Sequence, residues 1–164
     1  MNHAGLLAPL AWLASKIIEP VSRAWAQARL ALRIQGTIPS SAVILAMPQV
    51  EGTGRISLGN NAFLSRDLYF ETRENGGITI GDGVVISRGV HLVAFAGIRI
   101  GNGAVIGEYA SIRDASRQAE ASGSRPGSFR DAAPIDIGDN AWIGRGVTVL
   151  PGVRRGTAPG RRAI

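Results

Sequence analysis

The sequence predicts an all-β solenoid, a parallel β-helix of about five coils preceded by a helical arm. Three observations predict it. Large aliphatic residues recur every sixth position through most of the chain. The segments that carry them turn on Gly-Asp-Gly, Gly-Asn-Gly, Gly-Asn-Asn and Gly-Asp-Asn corners. Glycine is high at 22 residues and aromatics are low at 5%, a mix that suits many short strands and tight turns better than a helical bundle. A chain of 164 residues fits one compact domain.

Residues 1–35 read as a helical arm. Leu6, Leu10, Leu13, Ile17, Val21, Trp25, Ala28 and Leu32 recur at steps of three and four, which places them on one helical face. Pro20 is expected to break or kink the helix. The first expectation is that this stripe packs on the domain. The second is peripheral contact with a membrane surface, because Lys16, Arg23, Arg29 and Arg33 make the rest of the arm basic. The N-terminus lacks the basic start of a signal peptide, and Lys16 and Glu19 interrupt its apolar stretch. No run approaches the ~20 apolar residues of a membrane span, so the expected location is the cytoplasm.

Residues 36–153 carry the repeat. Four segments align without gaps: Ile56 to Ala62, Ile78 to Val84, Ile98 to Ala104 and Ile135 to Ala141. Each continues into two further six-residue units, and a fainter copy precedes them. The inward positions form triplets at 38/44/50, 58/64/70, 80/86/92, 100/106/112 and 137/143/149, and all are large and apolar. Three strands and three corners make one triangular coil, with one bulky side chain per side stacked on its equivalent in the next coil. Ala62, Val84, Ala104 and Ala141 are expected to share that interior. Gly and Asn fill corners that call for positive φ. Burying each Ile or Leu is worth roughly 1.5–3 kcal/mol before chain entropy is subtracted. No coil is stable alone, so stability grows by stacking.

The period breaks twice. Residues 113–134 form a polar insertion rich in Ser, Arg and Gly, and loops thrown from a rigid scaffold commonly carry function. Residues 154–164 form an aberrant basic tail, with Arg155 where an inward aliphatic is due. An unpaired arginine in such a core is costly, so the tail is expected to arise from truncation or a reading-frame error.

Composition removes several functions. With no cysteine there are no disulfides or thiolate metal sites. The two histidines, His3 and His91, fall short of the three that a histidine-ligated metal centre needs, and no metal is expected. The formal charge is +6, but the basic excess lies at the two chain ends. A nucleic-acid binder concentrates it on the folded surface.

Residues 56–153 resemble the hexapeptide-repeat acetyltransferases that O-acetylate sugars, in the exopolysaccharide and lipopolysaccharide branch. The resemblance rests on Ile106-Gly107-Glu108-Tyr109-Ala110-Ser111-Ile112-Arg113-Asp114 and on Pro134-Ile135-Asp136-Ile137-Gly138-Asp139-Asn140-Ala141-Trp142-Ile143-Gly144-Arg145-Gly146. It implies a left-handed coil, a homotrimer, acetyl-CoA as co-substrate, and a sugar or polysaccharide precursor as acceptor. It also implies a cofactor groove near Trp142, Gly144 and Arg145, and acceptor contacts from Arg113, Asp114 and Ser116. Trp142 reads equally as a side chain on the outer face of its sheet. In that family a histidine just after the first of these segments takes the proton from the sugar hydroxyl, a task that suits imidazole. The matching position here is Arg117. Arginine stays protonated and cannot serve as base. Asp114 and Glu120 are not obvious replacements. His91, on an outward position matched by Tyr69, Ser111 and Thr148, reads first as a strand-surface histidine; as a substitute base it needs a neighbouring subunit to bring the insertion to it. A chain without a base reads instead as a non-catalytic trimeric scaffold or a degenerate paralogue. A metal-dependent carbonic anhydrase on the same coil lacks its histidines.

Overall fold

The structure, a computed structural model, describes residues 20–117, 129–130 and 132–155. From residue 43 the chain visits three parallel sheets, A, B and C, in turn. The first pass is β1 (Val43–Ile44), β2 (Gln49–Gly52) and β3 (Ile56–Leu58). The next are β4 (Phe63–Leu64), β5 (Tyr69–Thr72) and β6 (Ile78–Ile80), then β7 (Val85–Ile86), β8 (His91–Ala94) and β9 (Ile98–Ile100). β10 (Val105–Ile106) and β11 (Ser111–Arg113) follow. After the insertion come β14 (Ile135–Ile137), β15 (Trp142–Ile143), β16 (Thr148–Val149) and β17 (Arg154–Arg155). Each sheet is five-stranded, in the orders β1-β4-β7-β10-β15, β2-β5-β8-β11-β16 and β3-β6-β9-β14-β17. The molecule is a β-solenoid, as the six-residue period predicts.

Counted from sheet C, as the repeat itself runs, there are four complete coils. About five were expected. The first is partial because Ile38 lies outside any strand. Ile38 still packs against the core half-buried, and the Leu58 N–H bonds to the Thr37 carbonyl at 3.0 Å.

The register of the sheets is the register of the repeat. Ile44, Leu64, Ile86, Ile106 and Ile143 stand opposite one another across sheet A. Val50, Phe70, Leu92, Ile112 and Val149 do so across sheet B. Leu58, Ile80, Ile100 and Ile137 do so across sheet C. All but Val50 are buried, and Val50 packs on the same core. Ala62, Val84 and Ala104 are buried among them and Ala141 partly so, because a small residue is what the space between large neighbours accepts.

Two corners per coil turn through positive φ, each three residues after an inward aliphatic. The first set is Asn61, Gly83, Gly103 and Asn140, and the second is Asp67, Gly89, Tyr109 and Gly146. Gly, Asn and Asp take this conformation most readily, which accounts for the Gly-Asp/Asn words; Tyr109 is the exception in these two sets. A polar ladder adds to the first set. Asp82 Oδ1, Asn102 Oδ1 and Asp139 Oδ1 accept backbone N–H bonds from Asn60, Asp82 and Asn102, at 2.6–2.8 Å.

The arm, α1, is helical over residues 20–31 and closes one end of the solenoid. Its seated face differs from the expected one. Ala26, Leu30 and Ile34 are buried in the main core, while Val21, Trp25 and Leu32 are 62%, 64% and 86% exposed. Ala26 and Leu30 also follow the helical period, and Ile34, three residues past the helix end, continues the buried side. Gln27 Nε2 donates to the Pro39 carbonyl at 3.0 Å and fixes the rotation of α1. The upstream positions Leu6, Leu10, Leu13 and Ile17, and the tail beyond residue 155, lie outside the described residues. At the other end Arg155 stands opposite Ile137 in the ladder, in the inward register read from the sequence.

Candidate active site on the outer face of sheet B

Strand alternation sends Phe70, Leu92 and Ile112 inward and their neighbours outward. The outward row of sheet B is therefore Gln49, Tyr69, His91, Ser111 and Thr148, joined in register. Two residues on, the row reads Glu51, Glu71, Val93 and Arg113. This face gathers one imidazole, one phenol, two hydroxyls, carboxylates and a guanidinium, whereas the matching row of sheet A is apolar.

His91 is the one histidine among the described residues, and it is exposed. Its ring lies 5.3 Å from that of Tyr69, centroid to centroid, tilted by 37°. On the other side its ladder neighbour is Ser111. Tyr69 Oη donates to Glu71 Oε2 at 2.9 Å, and Arg73 Nε donates to Glu71 Oε1 at 2.7 Å. Burial pushes the Tyr69 phenol up to about 12, and the hydrogen bond to Glu71 and its negative charge push the same way. At neutral pH Tyr69 is thus a proton donor in a hydrogen bond and not a base. For Glu71, burial is the largest single influence and raises it. The hydrogen bonds from Arg73 and Tyr69, with the charges of Arg73 and Arg113, together outweigh burial and hold the carboxyl below its ordinary value. Glu71 is therefore ionised and anchors Tyr69 beside His91.

The insertion is mounted at the edge of this face. β11, which carries Ser111 and Arg113, leads into β12 (Ser116–Arg117), and β12 pairs antiparallel with β13 (Phe129–Arg130). Arg117 stands opposite Phe129 on this hairpin; Glu120 lies outside the described residues. Asp114 has a positioning job. It is wholly buried, and its carboxylate accepts backbone N–H bonds from Phe95 at 2.7 Å, Ala96 at 2.8 Å and Gly97 at 2.5 Å. That leaves it no open side for an acceptor molecule. Its counterpart one coil earlier on the same path is Ala94, and two coils earlier Thr72. Among the described residues Thr72 is the other buried polar side chain, and its hydroxyl accepts from the Gly54 N–H at 2.9 Å. The turn from sheet B to sheet C thus uses side chains to satisfy amides that lack a ladder partner. Beside Asp114, Val93, Phe95 and Ala115 form a second small apolar cluster on which Tyr69 packs.

The residues read as a cofactor site sit elsewhere, at the end of sheet A. Trp142 is on the outer face, in register with Val105 and 49% exposed. Arg145 lies over the Tyr109 ring at 5.7 Å, and Tyr109 in turn covers Gly89, where a Cβ would meet Tyr109 Cδ1 at 2.5 Å. Gly144 lies between Trp142 and Arg145, and Gly107 in the preceding coil lets the backbones close up, since a Cβ there would lie 2.7 Å from the Arg145 nitrogen. A shallow groove of about 450 Å³ lies on sheet C, lined by Thr79, Arg99, Pro134, Asp136 and Arg154 among others. In it Arg99 pairs with Asp136 at 2.7 Å.

The sequence reading singled out His91, Ser116, Arg113 and Asp114 but not Tyr69 or Glu71 as site residues. Their signal was the register itself: positions 69 and 71 flank inward Phe70 as 91 and 93 flank Leu92. Among the described residues no group of three or more His, Asp or Glu side chains is placed to hold a metal ion. No family model, curated protein or solved structure matches the chain.

Proposed function

We propose that the protein is an acetyl-CoA-dependent O-acetyltransferase of the hexapeptide-repeat kind, acting on a sugar or polysaccharide precursor, with His91 as its base. One observation carries this reading. A lone exposed imidazole lies on the sheet face from which the insertion departs, between an anchored Tyr69 and Ser111. His91 takes the proton from an acceptor hydroxyl as that oxygen attacks the thioester carbonyl. The bond to sulfur then breaks, and the thiolate of CoA leaves and is protonated. Tyr69 holds the imidazole orientation through ring contact. Arg113, on the same face, offers hydrogen bonds to the acceptor. Trp142, Gly144 and Arg145 border the cofactor, and copies of the chain join as a homotrimer in the cytoplasm.

A second reading has an observation of its own. The position that matches the family's histidine is Arg117, and a guanidinium that stays protonated cannot act as base. On that reading the protein is a non-catalytic trimeric scaffold. Thiol release from acetyl-CoA with candidate sugars separates the two. The enzyme reading expects release by the wild type and its loss, by at least about 100-fold, in His91→Ala. Release unaffected by His91→Ala would refute His91. Release only after Arg117→His would establish the scaffold reading.

A further inference from the structure

We infer that the exposed face of α1 docks the protein on a membrane surface bearing anionic lipid. This stands apart from acyl transfer and needs no part of it.

The orientation of α1 is fixed by what it buries. Ala26, Leu30 and Ile34 enter the core of the first coils, and Gln27 is tied to Pro39. On the opposite side Val21, Trp25 and Leu32 project outward, all more than 60% exposed. Helical geometry at 3.6 residues per turn sets Val21 and Trp25 within one narrow sector, and Leu32 follows in the turn just past the helix end. An exposed row of tryptophan, leucine and valine on a rigidly seated helix is costly in water and marks a contact surface.

Charge decides which contact. Arg29 and Arg33 are one turn apart beside Leu32, and with it they line a groove of about 460 Å³ whose other wall includes Met47, Pro48 and Val50. The one carboxylate in that wall, Glu51, accepts from Gln49 Nε2 at 2.9 Å and has Arg73 at 4.0 Å, so the groove keeps a positive excess. Apolar side chains including a tryptophan, bordered by Arg29 and Arg33, match the interface of an anionic bilayer: rings and aliphatics enter the acyl boundary and guanidiniums meet phosphates. A protein partner for the same face would need a dense acidic rim. No helix among the described residues is long and apolar enough to cross a membrane, so the contact is with the surface.

Co-sedimentation of the full chain with vesicles tests this, using phosphatidylcholine alone and phosphatidylcholine mixed with phosphatidylglycerol. Wild type is expected to pellet with the anionic vesicles and to be released as salt rises. The double variant Trp25→Ser/Leu32→Ser should bind about tenfold more weakly or less. Arg29→Gln/Arg33→Gln should lose roughly fivefold per arginine on anionic vesicles. All four side chains are exposed, so circular dichroism should show each variant folded. Wild type that stays in the supernatant with both vesicle types overturns the inference. So does binding that neither double variant weakens. Self-association of the chain that Trp25→Ser/Leu32→Ser abolishes, without vesicle binding, would assign the face to a second copy instead.

Discussion

Sheets A and B share an interior and differ in their outer faces. Inside, both stack one large apolar side chain per strand in unbroken register. Outside, sheet A presents Val43, Phe63, Val85, Val105 and Trp142, an apolar row across all five strands. Sheet B presents Gln49, Tyr69, His91, Ser111 and Thr148. A solenoid spends alternate residues on stacking and leaves the others free, so each flat side can acquire its own task without altering the coil. Sheet A carries an apolar outer row and sheet B a polar one with titratable groups.

The sharpest way to break this comparison uses adjacent residues. Ile106→Asp puts an unpaired charge into the stacked interior and is expected to abolish cooperative folding. Val105→Asp, one residue earlier on the outer face, should shift the melting temperature by only a few degrees. Thermal melts followed by circular dichroism report both. If the two variants behaved alike, the inner and outer rows would have been misassigned.

Next in size is the mount of the insertion. Asp114→Ala strands the amides of Phe95, Ala96 and Gly97, and is expected to cost about 2–4 kcal/mol in urea unfolding. His91→Ala, on the open face of the same sheet, should cost under about 0.5 kcal/mol. A third experiment asks whether sheet A holds copies together. Val105→Arg with Trp142→Arg should convert the proposed trimer to monomer in sedimentation velocity, whereas Ser111→Ala on sheet B should leave it assembled.

The smallest expected effect is a pH dependence belonging to sheet B alone. The Tyr69 phenol is raised from 10.0 to about 12. The folded state therefore holds its proton more tightly than the unfolded chain. The stabilisation is complete below pH 10 and is lost as pH rises through about 12. Absorbance titration near 295 nm should find this late phenol, and Glu71→Gln should bring it back toward the ordinary range. Glu71 works in the opposite sense. Its lowered carboxyl adds stability above the ordinary carboxylate range, and that stability fades as pH falls through the lowered value. A Tyr69 that titrates with wild-type behaviour in Glu71→Gln would remove the anchor beside His91.

The coil was legible because its signal is repetition. Ile80, Ile86 and Leu92 report the same environment as Ile100, Ile106 and Ile112, and Gly83 and Gly103 mark the same turn. The seated face of α1 was not legible, because the helix has two apolar stripes. Periodicity detects a stripe but not what covers it, and the bulkier one, with Trp25 and Leu32, is the one left outside. Asp114 was misleading for a related reason. A carboxylate in a polar loop reads as chemistry, but the three amides that occupy it belong to residues 95–97, nineteen to seventeen positions earlier, and backbone amides leave no mark in a sequence. His91 was visible as an outward position, but its pairing with an anchored tyrosine emerged only from stacking one coil on the next.

The clamp at Asp114 has a consequence for change over time. The Ala133 N–H bonds to the Asp114 carbonyl at 2.9 Å, and the Gly152 N–H bonds to the Ala133 carbonyl at 3.0 Å. The chain therefore leaves the coil and rejoins it at one stapled point. Whatever is spliced between those two residues, short or long, hangs from a fixture that the rest of the architecture does not feel. Insertions and deletions can be tried there at little risk to the scaffold, which makes residues 116–132, beyond the buried Ala115, a natural grafting socket.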